Sequence, residues 1–340
     1  MRTFVLLLLT LWSGFSSAVM VSGLYQVSVP VEDQSSASRD QGLMAALQQV
    51  LVKVSGSTGV LQNPLVQQKI SDSSSSYVKS FRYLRDEIDD SVNLRVIFAQ
   101  GLIDKLLRDA GQPIWGKSRP LILTWLALEQ GNGRQIVNQN ADPARLKMIE
   151  SAMNDRGLPL LWPALDLDDE LALPVQKLWG LFSEDIGNAS ARYQADAVLA
   201  GRLVPSGSQQ WLFRGLLLHD QQEIPLEAQG DDAAAVLAMV ADQVAGYFAS
   251  RYAVKTSSVY RPEGHQLTIS GVRDFRDYYQ LLSYLRARVA INDVQLLQAD
   301  QQQLTLALDL AADWSQVWRL LALDKRLVAQ PDSDILVWQP

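Results

Sequence analysis

The 340 residues include no cysteine and only two histidines, His219 and His265. Without a thiol there is no disulfide, no thiolate nucleophile, no cysteine-built zinc site and no lipid-modified cysteine, so stability has to come from packed cores. With two imidazoles, histidine base catalysis is confined to two positions. Both fall in turn-like stretches, Leu218-His219-Asp220-Gln221 and Pro262-Glu263-Gly264-His265, and both read as solvated. Three catalytic signatures are missing as well. There is no G-x-S-x-G elbow and no H-E-x-x-H pair, and Ser55-Gly56-Ser57-Thr58-Gly59 is followed by Val60-Leu61 where a phosphate loop needs Lys and then Ser or Thr. Ser57 has no identifiable base, so that stretch reads as a helix stop and a turn.

What is present begins with a leader. Residues 4–12 are apolar and uncharged, follow Arg2, and run into small residues that include Ser16 and Ala18. This is the three-part layout of a secretory signal peptide, with cleavage expected after Ala18 and export to the periplasm. The rival is an uncleaved spanning helix over 3–24, since no charge appears between Arg2 and Glu32. Ser13, Gly14, Ser16, Ser17, Ser22 and Gly23 thin its apolar character, which favours cleavage and leaves no stable membrane span afterwards. A formal net charge of −7 argues against nucleic acid or anionic lipid as partners. Hydrophobic residues at 48% with charged residues at 20% describe a folded chain, long enough for two or three domains.

Periodicity divides the remainder into three small mixed-sheet modules of an α/β (α+β) protein, 23–112, 117–255 and 260–340, after the leader at 1–18. In the first, a strand at 24–31 precedes a helix capped near Ser35 and Ser36 with Leu43, Leu47, Val50, Leu51 and Val54 on one face. The polar run 71–76 reads as a loop, and 77–85 and 92–98 as strands paired around Asp89-Asp90. A helix to Ala110 then stops at Gly111-Gln112-Pro113, giving β-α-β-β-α. The second alternates strand and helix: a strand at 121–126, a helix opening at Asp142-Pro143, an apolar run at 158–161, helix over most of 175–192 and a strand at 197–204. A hairpin through His219-Asp220 follows, then a long helix capped by Asp231-Asp232 that carries Val236, Val240, Val244 and Phe248. The third has strands at 267–269, 294–297, 304–310 and 335–338, with helices at 275–289 and around Trp314, Val317, Trp318 and Leu321. That order is ferredoxin-like, and the first module reads as a partial copy of it.

Two clusters carry chemistry that must be weighed. Asp166-Leu167-Asp168-Asp169-Glu170 gathers carboxylates, yet Leu171 occupies the position where a calcium loop needs Gly, so a charged loop is expected. Tyr77, Lys79, Phe81, Arg82, Tyr83 and Arg85 interleave aromatic and basic groups. In an exported acidic protein this fits a half-buried strand, or a docking surface for protein or glycan, better than nucleic acid. Trp115 and Trp125, either side of the first boundary, read as core anchors.

The strings Val29-Pro30-Val31-Glu32-Asp33-Gln34 with Arg39, Val50-Leu51-Val52-Lys53-Val54-Ser55-Gly56, Pro113-Ile114-Trp115-Gly116 with Arg119-Pro120 and Trp125, and Ala189-Ser190-Ala191-Arg192-Tyr193 before Gly201-Arg202 resemble a family of secreted bacterial proteins, domain of unknown function 2066. The resemblance implies a Gram-negative envelope setting and transfers no activity. In the second module Asp196-Ala197-Val198-Leu199-Ala200-Gly201, the hairpin around His219 and the helix over 231–252 are similar in pattern to the amino-terminal domain of TolB, which implies partner binding. The expectation is a non-enzymatic periplasmic interaction or scaffold protein that binds envelope proteins. Tyr83, Arg85 and Arg202 are its candidate interaction residues, and no catalytic residue, cofactor or metal is expected. The alternatives are an envelope hydrolase using carboxylates and a carrier of an apolar ligand.

Overall fold

The computed structural model describes residues 19–85, 91–130, 133–137, 143–207, 210–255, 265–300, 303–330 and 333–339. They form a mixed α/β protein with ten α-helices, three larger sheets and one two-stranded ribbon.

The ribbon pairs β1 (Val19–Met20) with β5 (Ser118–Arg119). In the first unit, β2 (Gln26–Val31) alternates buried Val27 and Val29 with exposed Ser28 and Pro30, the pattern of a strand with one covered face. The Ser35 side chain accepts the Ser38 N–H and starts α1 (Ser36–Ser55). Gly56, with φ 77°, ends it. The expected stripe of Leu43, Leu47, Val50, Leu51 and Val54 is buried. The serine run differs from expectation: α2 (Pro64–Ser73) continues through Ser73 and a 3-10 turn, Ser74–Tyr77, follows. Asn63 caps α2 by accepting the Leu65 and Val66 N–H groups, Pro64 presets its first turn, and Val66 and Ile70 bury one face. Those start signals outweigh the loop preference of the serines. β3 (Val78–Arg85), β4 (Val92–Phe98) and α3 (Gln100–Asp109) complete an antiparallel sheet of order β2-β4-β3; the Asp89-Asp90 turn lies outside the described residues.

The middle unit centres on β6 (Ile122–Gln130), joined by β7 (Gly133–Ile136) and the short β8 (Leu160–Leu161). Helix α4 (Pro143–Asp155) covers one face; α5 (Leu167–Ala172), α6 (Val175–Trp179) and α7 (Ser183–Ser190) lie along the other. β9 (Ala197–Ser206) runs parallel to β6, and β10 (Gln210–His219) and β11 (Gln222–Gly230) extend the sheet antiparallel, giving β11-β10-β9-β6-β7. β6 reads as a continuous apolar run because it is buried twice. Ile122, Leu126 and Leu128 pack with α8 (Ala233–Tyr252), while Leu123, Trp125 and Ala127 pack with Leu178 and Ile186. α8 is long and apolar enough to cross a membrane, yet its Val236, Val240, Val244 and Phe248 stripe is wholly buried in the core.

The last unit comprises β12 (His265–Ser270), α9 (Phe275–Arg286), β13 (Ile291–Asp300), β14 (Gln303–Leu310), α10 (Trp314–Leu323), β15 (Leu327–Ala329) and β16 (Ile335–Trp338), in sheet order β13-β14-β12-β16-β15. The strand order is ferredoxin-like with one addition: β15 forms an extra edge hairpin with β16, which therefore runs parallel to β12.

Backbone and side-chain bonds tie the units together at 114–119. Ile114 and Val254 exchange N–H···O bonds, and the Trp115 N–H donates to the Val54 carbonyl. Arg119, fully buried, donates all five guanidinium N–H groups to carbonyls of Gly116, Arg156, Gly157, Lys53 and Trp115, at 2.8–3.2 Å. Its ring partner is Trp115, 3.8 Å away.

Candidate functional site

Strand β3 is the edge of the first sheet, and its outer side has no strand partner among the described residues. In the register of β3 with β4, Phe81 and Tyr83 stand beside Val96 and Leu94 on the face covered by α1, whereas Ser80, Arg82 and Leu84 stand beside Ile97, Arg95 and Asn93 on the opposite face. On that opposite face β2 contributes only Gln26, Ser28 and Pro30. No helix among the described residues covers it: Ser28, Ser80 and Arg82 are exposed, and Ile97 leaves 37% of its surface in solvent.

Two features distinguish this surface. Arg82 lies directly across from Arg95, and like charges in directly opposed positions repel. The Arg95 Nε is enclosed without a hydrogen-bond partner among the described residues. Along the edge itself, Phe81 is 45% exposed and meets Tyr83 edge-on at 6.1 Å, while the Tyr83 ring rests on the core of the unit. An irregularity between Val78 and Ser80 twists only the beginning of the strand, leaving 81–85 regular. Basic groups on an uncovered sheet face beside an unpaired edge can receive an extended acidic segment: the edge supplies main-chain hydrogen bonds and the guanidinium groups supply charge.

The structure places the other sequence candidates apart from this surface. Arg85 is exposed at the end of β3, so Tyr83 and Arg85 share one strand. Arg202 is on β9 in the middle unit, bonded to the Trp179 carbonyl and 5.3 Å from the Trp179 ring, which Arg134 also approaches at 4.1 Å. Arg202 thus fixes α6 against the sheet and is not brought to the β3 surface.

His219 differs from expectation. The hairpin loop is Asp220-Gln221, both with left-handed φ, so His219 ends β10 instead of turning, and its side chain is 3% exposed. Nδ1 is 3.1 Å from the Tyr247 hydroxyl and Nε2 is 3.3 Å from that of Tyr252. Burial holds the imidazole below its ordinary pKa, partly offset by Asp220, so it is neutral at neutral pH. His265 likewise opens β12, stacked on Trp314 at 3.9 Å, with burial lowering its pKa. Ser57 caps a 3-10 turn through its bond to the Gly59 N–H. The acidic cluster is the start of α5, not a loop. Asp166 caps that helix, Arg192 spans Asp166 and Asp169, and the Tyr193 hydroxyl donates to Asp169. Asp168 is exposed, and no group of three or more His or acidic side chains is placed to hold a metal among the described residues.

Residues 18–116, the first unit with the junction after it, match a family described as a domain of unknown function, DUF8605. This corrects the resemblance to domain of unknown function 2066, which is a different family and is not matched, and with it the TolB likeness, which no match supports. The strings that carry that resemblance are signals of local structure. Val29-Pro30-Val31 is ordinary strand alternation and Val54-Ser55-Gly56 an ordinary helix stop, so both recur wherever a strand and a capped helix are needed. No curated protein matches this chain. One solved structure, described as the crystal structure of an uncharacterized protein, is similar over 39% of this chain and 88% of its own, at 16% identity and a TM-score of 0.16.

Proposed function

We propose that this is an exported, non-enzymatic protein of the bacterial cell envelope that binds a partner protein by adding an acidic, extended segment of it to β3. The observation that carries the reading is the opposed Arg82 and Arg95 on the uncovered face beside the unpaired edge. An arrangement that costs the free protein stability is relieved when an anion arrives between the two guanidinium groups. Tyr83 and Phe81 flank the same edge and would anchor the segment by apolar contact.

Two further observations support the reading. The groups best suited to acid-base work are occupied by structural partners: His219 by two tyrosines, and Asp169 by Arg192 and Tyr193. The same engagement of Asp166 and Asp169 leaves the carboxylate hydrolase without a free pair there. Export rests on the leader, and Val19 and Met20 form a strand, which does not suit an unbroken spanning helix to Leu24. The intact mass of the native protein should correspond to a chain beginning at Val19.

The binding test is a photo-crosslinking amino acid placed at Lys79 in the full-length protein in its own cells. A discrete adduct is expected with the parent sequence, and its loss in the Arg82→Glu, Arg95→Glu double variant, while His219→Gln keeps it. An adduct that survives the charge reversal would overturn the assignment of the surface.

A further inference from the structure

The middle and last units enclose an open cleft of about 760 Å³, with His219, Arg251 and Tyr252 on one wall and Trp318, Arg319 and Lys325 on the other. We infer that this cleft is a binding site for a small organic oxyanion, a carboxylate or phosphate ester on a flat apolar body, with Arg251, Arg319 and Lys325 facing the charge and Trp318 the body. Clefts between units are where small ligands bind, and this one sets charged side chains beside the aromatic Tyr252 and Trp318.

The charges in the cleft favour an anion. Arg251 is aimed by its bond to the Gln222 side chain and by stacking 4.3 Å over the Tyr247 ring, and Arg319 by an Nε bond to the Ser315 carbonyl. Neither of those partners is a carboxylate, so each guanidinium keeps donors for a ligand. Two acids oppose them. Asp220 is 72% exposed at the rim. Asp196 is 3.7 Å from Lys325 and already accepts the Leu121 N–H, and burial pushes its pKa above the ordinary carboxylate value. The neutral His219 between its two tyrosines makes the floor a polar but uncharged surface.

The backbone around the cleft adds an independent observation. Among the described residues six non-glycine positions have left-handed φ; two of them line this opening, Asp220 at 49° and Lys325 at 53°, and two more are chain neighbours of lining residues, Gln194 at 51° and Gln221 at 59°. Gln194 precedes the lining residue Ala195, and Gln221 shares the hairpin loop with Asp220. Glycine would adopt each of these conformations without the Cβ clash, so these positions keep a polar side chain at a conformational cost. Strain of this kind concentrates at binding sites.

Calorimetric titration of the purified mature protein with phenyl phosphate, benzoate and benzamide tests the inference. The two anions share the flat body and separate phosphate from carboxylate, and benzamide carries the same ring without charge. Saturable binding of at least one anion is expected, at least tenfold tighter than benzamide. Arg319→Ala, at an exposed position, should weaken it at least tenfold without changing the melting temperature. Lys325→Gly should also weaken binding while leaving the protein as stable or more stable, a combination that a purely structural lysine would not give. Equal binding of benzamide, no saturable binding by either anion, or indifference to Arg319→Ala would each overturn the site.

Discussion

Arg119 and Arg82 carry the same guanidinium in opposite surroundings. Arg119 is fully buried with every donor on a carbonyl, so its charge is spread over five backbone dipoles drawn from all sides of the junction. Burial still lowers its pKa to about 9, which leaves it protonated at neutral pH. Arg82 is exposed, and the group nearest in register is another arginine. The contrast separates two uses of a basic residue. A buried arginine whose donors are all satisfied defines how segments meet, whereas two arginines in directly opposed register repel one another.

The largest expected effect tests the first half of that contrast. Arg119→Met strands five buried carbonyls around an apolar side chain, and we expect a loss of about 3–5 kcal/mol, read from urea unfolding. Arg119→Lys should recover little of it, because one ammonium cannot reproduce the planar fork. A loss below about 1 kcal/mol, within the range of ordinary surface changes, would erase the distinction between the two arginines.

Gly56 tests the same junction from its backbone. Its φ is 77°, and a Cβ there would lie 2.3 Å from the Ala249 Cβ and 3.1 Å from the Trp115 ring. The end of α1 is therefore pressed against α8 of the middle unit. Gly56→Ala should cost roughly 2–3 kcal/mol by combining left-handed strain with overpacking. Gly111→Ala, at a φ of 63° with open space around it, isolates the conformational part and should cost about 1 kcal/mol.

Much of this fold is legible in the sequence, and the particular failures have physical causes. The α1 stripe, the Asp232 cap of α8 and the twice-buried β6 follow from period and capping, which act locally. Helix α2 is hidden by Ser71 to Ser76, whose composition suggests a loop although Asn63-Pro64 had already started a helix. His219 looks solvated because Asp220 follows it; the one-residue shift of the loop, and the tyrosines 28 and 33 positions later that enclose it, depend on the packing of α8. The opposed pair at Arg82 and Arg95 needed strand register, which neither strand encodes alone. Of the named candidates, Tyr83 and Arg85 lie on β3 but alternate onto the face opposite Arg82, while Arg202 is a packing residue of another sheet.

His219 sharpens the comparison by pH. Its folded pKa lies below the ordinary value of 6.5 because of burial, so the unfolded chain takes up a proton first as pH falls. The contribution of this site is fully present above about pH 6.5 and is lost as the pH drops below it towards the folded pKa. Melting temperature between pH 7.5 and 5.5 should therefore fall more steeply in the parent protein than in His219→Gln, which carries no titrating ring. Parallel slopes would mean the imidazole is not desolvated.

The smallest effect on stability is expected at the β3 surface, and its sign is the informative part. Replacing one of two directly opposed like charges removes repulsion worth about 0.2–1 kcal/mol, so Arg82→Gln should leave the protein unchanged or slightly more stable in urea unfolding. Raising salt should narrow the difference, because the charge of the exposed Arg82 is screened. Arg119→Met and Arg82→Gln would then move stability in opposite directions, although each deletes one guanidinium. A clear loss of stability in Arg82→Gln would show that the arginine has a partner within its own chain, and would remove the ground for proposing this face as a docking surface.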